Sequence, residues 1–286
     1  MKKISVAHSP DADDIFMYMA IKFGWVGNNY KYNNIALDIQ TLNEMALQNE
    51  FDVSAISFAL YPLIASEYAL LKTAVSFGEG YGPKLIRKKN KKLKPNFKVA
   101  LSGMHTSNAL IFRIKYPQAR IIYKNFLEIE KAVLEDEVDA GVLIHESILD
   151  FDDSLCVEAE IWDIWQDLIK DDLPLPLGGM ALRRSLPLND AINIEKDLIK
   201  AVQLADHNKK ILAPMLMERN LIRVNEQKLE IYLGLYANKN SINMSDRQYN
   251  AIDKLFELGY EHNFYDNLIK SRLYLIPDEY EKFRNS

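Results

Sequence analysis

The strongest constraint in this chain is an alternation of short apolar runs and helix-spaced segments between residues 97 and 144. Phe97 to Leu101 reads as a strand, Asn108 to Ile114 as a helix, Ala119 to Tyr123 as a strand, Phe126 to Leu134 as a helix and Ala140 to Ile144 as a buried strand. Helical connections between strands are crossovers, so the pattern predicts a parallel sheet built from βαβ units. The last run lies within VDAGVLIHES, Val138 to Ser147, and stops abruptly at His145, Glu146 and Ser147. Ligands of open α/β sheets bind in the crevice outside the carboxyl ends of the strands, which puts a titratable imidazole where chemistry can occur. A capping or loop histidine is the plainer alternative.

The flanking segments extend the pattern. Ile4 to Ala7 reads as a strand, Ser9 to Asp14 (SPDADD) as a turn rich in capping residues, and Ile15 to Phe23 as an apolar helix. Leu37 to Gln40 is a second strand candidate, Leu42 to Gln48 has helical spacing, and Phe51 to Ile56 forms a strand that ends on Ser57. The charged stretch Lys88 to Asn96 has the character of a crossing between lobes, and Asp171 to Pro176, with two prolines, marks a second. Leu177 to Arg183 then reads as a strand returning to the first lobe. Two crossings imply a discontinuous first lobe, 1–93 and 177–286, around a second lobe at 94–176. Helical patterns at Ala191 to Met217, Glu226 to Tyr236, Asp246 to Leu258 and Tyr265 to Leu273 are expected to pack on the first lobe.

The length of 286 residues exceeds the ~100–150 of a common domain, in keeping with two lobes. With 48% hydrophobic and 26% charged residues the chain has the composition of a soluble globular protein. A net charge of −5, with lysines scattered apart from Lys88 to Lys94, argues against nucleic acid as a partner. The single Cys156 excludes an intrachain disulfide, and no stretch approaches the ~20 apolar residues of a membrane span. The expectation is a cytoplasmic protein, monomer or homodimer, that takes a small molecule.

Two motifs compete with His145 for attention. In Ser102 to Ser107 (SGMHTS), Thr106 and Ser107 fall at a helix start, where free N–H groups and the helix dipole suit an anion such as a carboxylate; capping the helix is the alternative use of the same hydroxyls. HSPDADD, His8 to Asp14, places a histidine and aspartates at a strand–helix corner, as some metal-dependent phosphoesterases do. Those enzymes need further clusters downstream, and the five histidines here, at 8, 105, 145, 207 and 262, stand apart. Asp11, Asp13 and Asp14 read instead as capping residues that also line a cleft. No GxSxG elbow is present to support a serine nucleophile.

Taken in order, SPDADDIFMY, DVSAISFALYP, GMHTSNA, VDAGVLIHES and PLPLGGMALRR resemble the 1,4-dihydroxy-6-naphthoate synthase family of menaquinone biosynthesis by the futalosine pathway. The resemblance implies a two-lobed α/β fold like the type II periplasmic binding proteins, with a cleft between the lobes. It further implies a lyase, free of metal and organic cofactor, that cleaves cyclic dehypoxanthine futalosine to 1,4-dihydroxy-6-naphthoate. His145 matches the family's proposed general base; Ala55, Ile56 and Ser57 match one substrate-contacting segment, and Thr106 and Ser107 the other. Many members carry a CPND-like sequence where this chain has Asp11 to Asp14, which leaves the role of the acidic turn open. The competing readings are chorismate dehydratase of the same pathway and a non-catalytic binding protein for an anionic metabolite.

Overall fold

In the computed structural model, which describes residues 1–27, 29–218, 225–237 and 239–279, the chain crosses twice between two sheets. The first passage runs β1 (Lys2–His8), α1 (Ala12–Lys22), β2 (Tyr30–Ala36), α2 (Ile39–Leu47), β3 (Val53–Ser57), α3 (Tyr61–Ile64), β4 (Tyr68–Leu70) and β5 (Ser76–Gly78). The second holds β6 (Lys84–Lys88), β7 (Lys98–Leu101), α4 (Ser107–Lys115), β8 (Arg120–Tyr123), α5 (Ile129–Leu134), β9 (Ala140–Leu143), β10 (Leu155–Glu160) and α6 (Ile161–Ile169). The chain returns through β11 (Leu175–Arg183) and closes with α7 (Leu188–His207), α8 (Lys209–Glu218), α9 (Glu226–Tyr236) and α10 (Asp246–Glu261).

The first sheet has the order β2-β1-β3-β11-β4, with β5 also on β11; β1 lies parallel to β2 and β3, and β11 is antiparallel. The second has the order β10-β6-β9-β7-β8, in which β7 runs parallel to β8 and β9 as the βαβ alternation requires. β6 pairs antiparallel with β9 and β10. The expected lobe boundary at residue 93 therefore needs correction: β6 belongs to the second sheet, and the crossing lies between Gly78 and Lys84. The buried Leu85 and Ile86 of β6 find their partner in β9, while the charged stretch after the strand is merely a surface turn. On the return, Leu175 and Pro176 already pair with β5, so the second crossing ends at Pro174. Trp165, fully buried, anchors this crossing by donating its indole N–H to the Leu173 carbonyl at 2.9 Å.

Two further expectations give way. The second strand is Tyr30–Ala36, not Leu37 to Gln40, because Asp38 accepts the Gln40 and Thr41 N–H groups and caps α2, drawing Ile39 and Gln40 into the helix. Residues 265–273 form no helix beyond a 3-10 turn at Ser271–Tyr274. Their apolar spacing serves separate anchors: the Tyr265 hydroxyl donates to the Ala59 carbonyl at 2.7 Å, and Asp253 accepts the Ser271 N–H at 2.7 Å. α1 is apolar around most of its circumference, with Phe16 to Ala20 all buried, because α7, α8 and α9 cover it. No helix among the described residues is long and apolar enough to cross a membrane.

Candidate active site

The strand orders place two switch points opposite each other. β1 sits between β2 and β3, and β7 between β8 and β9, so the sheet order reverses at the carboxyl ends of β1 and β7, where crevices form. Between them lies a cavity lined from both sheets, the kind of place where a small molecule binds. Ser9, Asp11, Asp14 and Ser57 reach it from the first sheet, and Thr106, Ser107, Asn108 and His145 from the second. Its remaining walls are largely apolar, from Ile39, Ala55, Ile56, Ile144, Leu177 and the rings of Tyr232 and Tyr236.

His145 is held across this cavity. Its backbone φ of +55° is in the left-handed region, where a non-glycine residue costs on the order of 1 kcal/mol or more and persists only when its surroundings enforce it. Here the enforcing contact is Asp11 on the opposite lobe, whose Oδ2 accepts the Nδ1 proton of His145. The edge of Phe126, 4.8 Å between ring centroids, fixes the other side of the imidazole. Nε2 is left buried with no hydrogen-bond partner among the described residues, as are Asp11 Oδ1 and Ser9 Oγ. Buried polar atoms are nearly always satisfied, so three orphans around one cavity mark a place for a polar occupant.

The charges of the site are set by one another. Burial alone would lower the pKa of His145, but the charge and hydrogen bond of Asp11 raise it above the ordinary histidine value. Burial would likewise raise Asp11; His145 outweighs it and holds the carboxyl below its usual range. Asp14, whose Oδ2 accepts the Ser9 N–H at 2.7 Å, has no such cation of its own. Burial and then the Asp11 charge push it up to about 8. Around neutral pH the site thus contains an Asp11–His145 pair and a protonated Asp14. An imidazole in a cavity wall, oriented through Nδ1 by a carboxylate and with Nε2 unpartnered among the described residues, is an arrangement for proton abstraction.

The other residues singled out in the sequence also gather here, though not all as foreseen. Ala55, Ile56, Ser57, Thr106 and Ser107 all line the cavity. Ser57 is braced by buried Asn43, which donates to Ser57 Oγ and accepts its N–H, each at 3.0 Å; the serine proton stays available to an occupant. The hydroxyls of Thr106 and Ser107, expected to offer two donors to an anion, are committed within the protein. Thr106 Oγ1 caps α4 by accepting the Ala109 N–H at 3.3 Å and donates to the Gly103 carbonyl at 2.9 Å. Ser107 Oγ donates to the Leu177 carbonyl at 2.7 Å and accepts the Ala59 N–H at 3.2 Å, tying the two lobes together. What remains for an anion is the backbone: the N–H groups of Ser107 and Asn108 lie in the first turn of α4, beyond the helix's own carbonyls.

Asp11 and Asp14, which the sequence reading put at a cleft as well as at a helix cap, line the cavity, while other contributors were not foreseen. Asp11 stands at the N-cap of α1 but makes no capping bond, because its carboxylate is taken by His145. The side chain of Asp13 lies outside the described residues. His8 does not line the cavity; it stacks on Tyr18 with centroids 5.0 Å apart, and burial lowers its pKa. Tyr232 and Tyr236, one turn apart on α9, bring an aromatic wall whose only sequence signal is their helical spacing. Gly178 and Gly179 let β11 run close beneath the site: a Cβ at Gly179 would stand 2.9 Å from the Phe58 ring.

Two α/β lobes enclosing a cleft, with the Asp11–His145 pair assembled across it, define a protein of the periplasmic-binding-protein fold. The chain belongs to the menaquinone biosynthesis family, which it matches over residues 4–261. It is 27% identical to a 1,4-dihydroxy-6-naphtoate synthase of Streptomyces coelicolor, covering 87% of this chain and 90% of that protein. The enzyme of the same name from Thermus thermophilus is 24% identical over 90% of this chain and 93% of its own. Among solved structures, protein AF1704 of Archaeoglobus fulgidus superposes with a TM-score of 0.84 at 30% identity, covering 92% of this chain and 98% of that one. The alkanesulfonate-binding protein SsuA of Xanthomonas axonopodis pv. citri shares the fold, with a TM-score of 0.70 at 10% identity over 96% and 98% of the two chains.

Proposed function

We propose that the protein is a carbon–carbon lyase that converts cyclic dehypoxanthine futalosine to 1,4-dihydroxy-6-naphthoate. The observation that carries the reading is His145, a residue of the cavity wall that Asp11 orients through Nδ1 and whose buried Nε2 has no hydrogen-bond partner among the described residues. The naming of its relatives supports the choice of product.

In this reading the substrate's aromatic carboxylate meets the N–H groups at the start of α4, where a helix terminus favours negative charge. None of the described residues lining the cavity is lysine or arginine, so these amides, together with the neutral state of Asp14, are what make the pocket tolerant of an anion. The apolar walls and the two tyrosines pack the ring. His145 Nε2 then removes a hydroxyl proton from the sugar-derived part as a carbon–carbon bond breaks. The electron pair moves into the ring, whose aromatisation favours products. Asp11 stabilises the imidazolium that forms. The reaction belongs to a cytoplasmic protein that acts on a free small molecule.

The test is direct. Purified protein is incubated with cyclic dehypoxanthine futalosine and the mixture analysed by mass spectrometry. The lyase reading predicts 1,4-dihydroxy-6-naphthoate; tight binding without product would instead make the protein a carrier.

A further inference from the structure

The site holds a second carboxyl that the base does not use. Asp14 lies one helical turn after Asp11 on α1, so both project from the same face into the cavity that His145 lines. One of its oxygens is fixed by the Ser9 N–H at 2.7 Å, which leaves the other for whatever occupies the cavity. Ser9, itself buried, lines the cavity beside Asp14 at this corner.

We propose that Asp14 is a catalytic residue: the proton donor that neutralises the oxygen on which negative charge develops as the carbon–carbon bond breaks. The proposal rests on the lyase reading above. His145 Nε2 takes the proton of the substrate hydroxyl, and the oxygen's electron pair forms a carbonyl. The carbon–carbon bond to the ring breaks, and its pair passes through the ring system to a conjugated carbonyl oxygen. That oxygen takes the proton of Asp14 and becomes the phenolic hydroxyl. No oxidant, reductant or water is consumed, and the enzyme is left with an imidazolium and a carboxylate, restored by proton exchange after product leaves. An unneutralised enolate in a low-dielectric cleft already holding the Asp11 carboxylate would be costly, which is why a donor on this face matters.

The electrostatics agree with the role. Two carboxyls of one helical turn are driven apart, Asp11 into its charged form by His145 and Asp14 into its neutral form by burial and Asp11. Such separation assigns acid and base. Of the other charged groups near this corner, His8 acts on Asp11 and Glu146 on His145, both reinforcing the Asp11–His145 pair, while Lys209 of α8 lies over the Phe16 ring and Lys228 of α9 is paired with Asp150.

Steady-state kinetics with cyclic dehypoxanthine futalosine from about pH 5.5 to 9.5 test the proposal. The wild type is expected to show a bell-shaped kcat/KM, rising as His145 loses its proton and falling on the alkaline side as Asp14 does. Asp14→Asn is expected to lose at least ~10²-fold in kcat with KM changed far less, and to lose the alkaline limb. A wild-type rate that stays flat from neutral pH to 9.5 overturns the acid role without recourse to any variant. Equal turnover by the wild type and Asp14→Asn removes the acid role alone, whereas absence of product from the wild type at every pH removes the lyase reading and the acid role together.

Discussion

Asp14→Asn has a second consequence, in stability, whose size follows from the structure. The carboxyl is pushed up to about 8 in the folded protein, against an ordinary value of 3.8. The folded state therefore keeps a proton that the unfolded state has lost. Its contribution is fully present below the unfolded value and falls away as pH rises toward about 8. Each pH unit in that window is worth about 1.4 kcal/mol, so between pH 5 and pH 8 this one group removes about 4 kcal/mol, or about 2–4 with water in the cavity sharing the charge. Asparagine fits the same space and does not titrate. His145 titrates in both proteins, so its contribution largely cancels in the comparison. Urea unfolding followed by the fluorescence of the three tryptophans, at about pH 5, 6.5 and 8, measures both proteins. Asp14→Asn is expected to gain on the wild type by about 2–4 kcal/mol across the series. A difference that does not change with pH would refute the assignment of a protonated, half-buried Asp14.

Other consequences are narrower. Asp11→Asn removes the charge that raises His145, so the acid limb of the kcat/KM profile is expected to move to lower pH while kcat falls at least ~10-fold; an unmoved limb would contradict the pairing. Asn43→Ala deprives Ser57 of two hydrogen bonds in a buried setting and should cost about 1–3 kcal/mol in thermal or urea unfolding together with a raised KM. Gly179→Ala sets a methyl group 2.9 Å from the Phe58 ring, an overpacking expected to cost about 1–3 kcal/mol, measurable as a lowered Tm.

The parts of this molecule legible in its sequence are those whose signal is local. An apolar run that ends on a polar residue announces the carboxyl end of a buried strand, and by that rule Ser57, the Ser102 to Ser107 turn and His145 could be placed before any contact was known. Two such ends in separate lobes already implied a cleft. The Asp11–His145 pair was not legible, because it joins residues from opposite lobes, and nothing near Asp11 distinguishes a carboxylate that caps its helix from one that reaches across. The same holds for the aromatic wall of α9, which reaches the cavity only through the packing of the C-terminal helices over α1. β2 escaped notice as an edge strand carrying Lys31, Asn33 and Asn34, where one neighbour and partial burial leave little apolar pattern. Thr106 and Ser107 were found by position, yet their hydroxyls serve the cap and the seam between the lobes, and the anion-binding capacity lies in the backbone beneath them.

The account stands most directly on the turnover of cyclic dehypoxanthine futalosine by the wild type and by His145→Ala, measured side by side with calorimetric binding. Wild-type protein is expected to release 1,4-dihydroxy-6-naphthoate, and His145→Ala to do so at least ~10²-fold more slowly while binding the substrate with a similar Kd. Full activity in His145→Ala would contradict the role given to His145 as the base.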